Sequence, residues 1–67
     1  MYNIICKYQY WGPEGIAWTR WYLYEGGIKD KATAEARVKE LVKGSEKDKL
    51  KQEYNLVDDK ELKKMKL

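Results

Sequence analysis

The sequence predicts a small α+β domain: an antiparallel β-hairpin packed on one amphipathic helix, then a third strand and a short C-terminal helix, in the order β-β-α-β-α. Three observations predict it. The first third is aromatic and β-prone, running from "MYNIICKYQYW" to "GIAWTRWYLYE". The remainder is rich in Lys and Glu and carries apolar residues at helical spacing. At 67 residues there is room for a single domain, spanning 1–67.

Tyr, Trp, Ile and Thr favour strands, and the "GPEG" between the two aromatic runs suits a turn through Pro13 and its flanking glycines. Residues 2–25 therefore read as a hairpin with Trp11 roughly opposite Ile16. "EGGIKD" then breaks the second strand. In "ATAEARVKELVKG" the residues Ala34, Val38, Leu41 and Val42 form one face of a helix over 33–43. Thr33 or Asp30 can cap it, Gly44 provides a stop, and Glu35 and Lys39 sit in favourable order on its solvated side. "SEKD" resembles a capping box, which suggests a short helical turn through Leu50. "EYNLVD" suits a third strand at 53–57, with Tyr54 and Leu56 facing opposite to Asn55 and Val57. For "DDKELKKMKL" the expectation is a short helix at 59–66 capped by Asp58 or Asp59, with a frayed tail as the alternative.

Alternation along the hairpin sorts its side chains. With Trp11 opposite Ile16, the pairs Tyr10–Ala17, Tyr8–Thr19, Cys6–Trp21 and Ile4–Leu23 share one face. Trp11–Ile16, Gln9–Trp18, Lys7–Arg20, Ile5–Tyr22 and Asn3–Tyr24 share the other. Slipping the whole register by one residue would place Arg20 among Ile4, Cys6 and Tyr8, and burying an unpaired charge costs several kcal/mol. The first face is thus the expected core, with Ala17 leaving space for a helix, and burial of Trp21, Leu23 and Ile4 contributing about 1.5–3 kcal/mol each. The second face gathers Trp11, Trp18, Tyr22, Tyr24 and Ile5 around Lys7 and Arg20. Either it is an open interaction surface, or the C-terminal segment folds back over it through Leu56, Leu62 and Met65.

Domains this small bury a modest share of their surface and lean on disulfides, metals or oligomerisation. Cys6 is the only cysteine and there is no histidine, so neither an internal disulfide nor a structural zinc site is expected. The remaining supports are oligomerisation and efficient use of aromatic side chains. Cys6 itself reads as a small buried apolar residue, and a lone cysteine fits a reducing compartment. No secretory signal is apparent and no segment has the length of a membrane span, so a cytoplasmic location is expected.

The net charge of +3 lies entirely beyond residue 30, since Lys7, Arg20 and Lys29 balance Glu14, Glu25 and Asp30. Without histidine no Ser-His or Cys-His nucleophile can be assembled, and the carboxylates interleave with lysines as on a solvated helix face. Asp58 and Asp59 can bind a divalent ion weakly, but capping suits them better. "GPEG" and "EGG" lack the framework of a phosphate loop. The expectation is a non-enzymatic chain with no catalytic residues, no cofactor, no metal and no small-molecule substrate.

Two functions of different class fit. In one, Trp11, Trp18, Arg20, Tyr22, Tyr24 and Lys7 form a protein-binding surface, because Trp, Tyr and Arg dominate binding hot spots. The partner would be another protein or a second copy of the chain. In the other, the same face stacks the bases of single-stranded nucleic acid while Lys7, Arg20 and C-terminal lysines meet phosphates. The neutrality of the hairpin weighs against the second. Size and texture also suit an accessory or inhibitor protein of a phage or mobile element, acting by occlusion of a host protein.

Overall fold

The computed structural model describes residues 1–67. Four strands and two helices follow in the order β1 (Tyr2–Gly12), β2 (Gly15–Trp18), β3 (Tyr22–Ile28), α1 (Lys31–Ser45), β4 (Gln52–Asp58) and α2 (Asp59–Met65). The chain adopts the α+β arrangement expected, but the second arm of the hairpin is two strands. β1 lies at the centre of an antiparallel sheet. β2 and then β3 pair along one of its edges, and β4 pairs along the other from Tyr2 to Tyr8.

The β1–β2 register matches expectation, with Gln9 opposite Trp18, Tyr10 opposite Ala17 and Trp11 opposite Ile16. Beyond Thr19 it changes. The Thr19 N–H donates to the Tyr8 carbonyl at 2.9 Å, and the Tyr8 N–H donates to the Thr19 hydroxyl at 3.0 Å. Cys6 then pairs with Tyr22, so Arg20 and Trp21 together stand opposite Lys7. This is a β-bulge, in which one extra residue moves every later side chain of the strand to the other face. It corrects the expected Cys6–Trp21 and Ile4–Leu23 pairs: Leu23 is opposite Ile5, and Glu25 is opposite Ile4. A whole-strand slip would have buried Arg20. The bulge places the slip after Arg20 has left the ladder, where its side chain is exposed, and the Thr19 hydroxyl takes the place of the backbone acceptor.

β3 is irregular again between Ile4 and Tyr2. There Gly27 adopts φ +72°, and its N–H donates to Asn3 Oδ1 at 3.2 Å. A Cβ on Gly26 would lie 2.9 Å from that oxygen, so only glycine fits.

Both helices cover the sheet, one on each face. α1 packs chiefly on β4 and β1, above Ile4, Leu56 and Tyr54. Ala34 is its one fully buried residue, and its small side chain lets the helix approach. The role expected of Ala17 thus falls to Ala34, because Ala17 lies on the hairpin beyond the helix. α2 packs on β4 and β1 from the opposite side, over Ile5 and Val57, with Leu62 and Met65 half-buried. The fold-back expected as an alternative therefore occurs for Leu62 and Met65, while Leu56 faces α1. Asn3, Ile4, Ile5 and Cys6 are consequently buried in succession, the pattern of a strand covered on both faces.

Asp30 caps α1, accepting from the Thr33 N–H at 3.2 Å and the Thr33 hydroxyl at 2.9 Å. Gly44 does not stop the helix, which continues to Ser45. Ser45 is no cap for a following helix either: its hydroxyl donates back to the Val42 carbonyl at 3.0 Å, and residues 46–51 form turns. Asp58 caps α2 by accepting from the Glu61 N–H at 2.8 Å. Asp59 instead accepts from the Asn3 amide at 2.9 Å, tying α2 to the sheet.

Candidate protein-binding surface

β4 ends opposite Tyr8, whereas β1 and β2 continue to Gly12 and Gly15. The distal hairpin is thus a two-stranded ribbon, and neither helix packs on β2. On the α2 side of this ribbon stand Trp11, Ile16 and Trp18, which are 73 %, 51 % and 38 % exposed. Trp11 and Ile16 are direct cross-strand partners, so their apolar surfaces form one patch at the tip.

Toward the domain the patch continues through Lys7. Its ammonium lies 5.0 Å from the Trp18 ring centre and 4.9 Å from that of Trp21, and 3.5 Å from a Glu53 carboxylate oxygen. A cation between two indoles holds both rings in place, each contact contributing about 0.5–1 kcal/mol at an exposed site. Arg20 stands in no ion pair and lies with Trp21, Met65, Lys66 and Leu67 around an open hollow. Beside it an apolar cleft of about 230 Å³ separates β3 from α2, lined by Trp21, Tyr22, Leu23, Leu62 and Leu67.

Of the expected binding residues, Trp11, Trp18, Lys7 and Arg20 come together on or beside this surface. Tyr22 and Tyr24 do not. The bulge carries them to the opposite face, where Tyr22 packs edge-on against Tyr8 with ring centres 6.1 Å apart, and Tyr24 against Tyr54 at 5.6 Å. Trp21, assigned by strict alternation to the core, crosses in the other direction and joins the binding surface. The local signal for that exchange is the Thr19 hydroxyl followed by Arg20, which together make an unpaired residue tolerable.

The opposite face is a tyrosine surface around buried Cys6. Hydrogen bonding with the Cys6 sulfur, aided by burial, holds the Tyr22 hydroxyl well above the ordinary phenol range. Burial first, and then the Cys6 charge, raises that of Tyr54, whose hydroxyl donates to Gln52 Oε1 at 2.8 Å. These phenols stay protonated at neutral pH and serve as neutral hydrogen-bonding rings. No helix of the chain is long and apolar enough to cross a membrane. Comparison with protein-family models, curated proteins and solved structures finds no match for this chain.

Proposed function

We propose that this chain is a small, non-enzymatic protein-binding module that engages a protein partner through the α2 side of its hairpin. Trp11, Ile16 and Trp18 are the apolar anchors, Arg20 the charged one, and Lys7 the residue that orders Trp18 and Trp21. The observation that carries this reading is the projecting ribbon: its two most exposed large apolar side chains, Trp11 and Ile16, are cross-strand partners on one face. Exposed Trp with neighbouring Arg is the composition of a binding hot spot, and a ribbon with no helix beneath it can enter a groove. Because Arg20 is unpaired and α2 adds Lys63, Lys64 and Lys66 nearby, the partner surface is apolar with acidic borders. Binding acts by occlusion, as suits an accessory or inhibitor protein of a phage or mobile element.

A photo-crosslinking residue in place of Trp11, introduced in the cells that produce the chain, tests this. One dominant protein adduct is expected, absent with the crosslinker at Val42 on α1 and lost when Trp18→Ala is added. Equal labelling from both positions would sink the assignment. Lys7 is occupied by Glu53 and two indoles, which leaves Arg20 as the one unpaired cation of the ribbon's base and disfavours a phosphate-tracking platform. Oligonucleotide binding with a steep loss in salt would nonetheless move the surface to single-stranded nucleic acid.

A further inference from the structure

The domain is flatter and more open than its mass requires. It exposes 5389 Å² of surface, whereas a monomer of 8.0 kDa is expected to expose about 4,450 Å². The excess of roughly 900 Å² matches one side of a standard protein interface, about 800 Å² per partner. Its radius of gyration of 12.9 Å likewise exceeds the roughly 11 Å expected for this length, and only six of 67 residues are buried. Without disulfide or metal, a covering partner is the remaining source of stability.

We infer that the tyrosine face, formed by Tyr8, Tyr10, Ala17, Tyr22 and Tyr24, is the two-fold interface of a homodimer. Charge decides between the two faces. In a two-fold dimer the same patch faces itself, so each cation in it is brought toward its own copy. The tryptophan surface carries Lys7 and Arg20 beside the lysines of α2 and suits a different partner. The tyrosine face carries no charged side chain between its borders. At one border Arg37 is already paired with Glu25 at 3.3 Å and Glu40 at 3.4 Å. At the other, Asp48 accepts from the Gln52 amide at 2.9 Å. The four tyrosines are each about two-fifths exposed, offering apolar ring and hydroxyl together, the combination enriched at interfaces. α1 covers the β4 half of this side and leaves the hairpin half bare, so a second copy has a flat surface to meet. This inference is independent of the tryptophan surface.

Sedimentation equilibrium over a concentration series tests it. The expected mass is twice the 8.0 kDa of one chain. Tyr10→Glu, on the ribbon and away from both helices, should raise the dimer dissociation constant at least about thirtyfold, as expected of a central interface residue. Trp11→Glu, one position along and on the opposite face, should leave the dimer intact. Ala17→Glu serves as the second interface variant if circular dichroism shows Tyr10→Glu unfolded. A monomeric wild type overturns the inference and leaves the tryptophan surface untouched, as does dissociation by Trp11→Glu with Tyr10→Glu still dimeric.

Discussion

Replacing Asn3 by Asp exchanges an amide for a carboxylate at the domain's one buried polar side chain. The Asn3 side chain joins two elements: its oxygen accepts from Gly27 of β3 at 3.2 Å, and its nitrogen donates to Asp59 of α2 at 2.9 Å. Asp at this position keeps the first bond and sets a carboxylate against Asp59 in place of the second. The position is 4 % exposed, and a buried polar group left without its match costs about 1–3 kcal/mol. For a domain of this size each kcal/mol moves the melting temperature by about 4–8 °C, so a drop of about 5–20 °C is expected at pH 7. The pH dependence should also reverse. In the wild type, the Asn3 amide and then the terminal ammonium hold Asp59 below its ordinary range. That contribution is complete above the ordinary carboxylate value and is lost as pH falls through the lowered one. In the variant one carboxyl of the pair is raised, because two adjacent charges cannot both persist cheaply. Acidification from pH 7 should then stabilise the variant, while the wild type gains nothing and weakens below about pH 4. Thermal melts followed by tryptophan fluorescence between pH 7 and pH 3 read both effects. Equal melting temperatures at pH 7, or parallel pH profiles, would refute the role assigned to Asn3.

Three further outcomes follow from the same geometry. Ile5→Ala should cost about 2–5 kcal/mol in urea unfolding, a large part of a domain's stability, whereas Ile16→Ala on the bare ribbon should stay within about 0.5 kcal/mol. A comparable loss at both positions would mean that α2 does not cover Ile5 as described. Lys7→Met keeps the alkyl stem but removes the charge between Trp18 and Trp21; about 0.5–1 kcal/mol should be lost, with Lys7→Arg restoring most of it, and no difference between Met and Arg would discount the cation–π contacts. Because the folded Tyr22 hydroxyl holds its proton more tightly than the unfolded one, its contribution is complete below the ordinary phenol value of about 10 and fades as pH rises beyond it. Melting temperatures across that alkaline range should fall in the wild type and fall less in Tyr22→Phe.

What local chemistry governs was readable along the chain. The turn at Pro13, the register up to Thr19, the caps at Asp30 and Asp58, and the opposed faces of Tyr54 and Val57 each depend on residues within a few positions or one strand away. Gly44 shows the limit of such reading: a glycine permits a helix to end but does not compel it, and α1 runs one residue further. Ser45 and Asp48 have the spacing of a capping box, yet the chain has only six residues to pass from α1 to Gln52, and turns fill that distance.

The candidate surface was half readable for a related reason. Trp11 and Trp18 lie before the bulge, where strict alternation places them correctly; Trp21, Tyr22 and Tyr24 lie after it, where each moves to the other face. A single extra residue is invisible to a periodic pattern when both faces are aromatic, because either register buries and exposes similar side chains. By itself the sequence determined the α+β class, the element order and the hairpin tip, all set by short-range propensity and turn chemistry. Tertiary structure decided where the second arm bulges and that α2 returns over Ile5. Burying both faces of β1 requires α1 and α2 at once, and the extra residue at Arg20 lets Leu23 face Ile5 while the arginine stays in solvent.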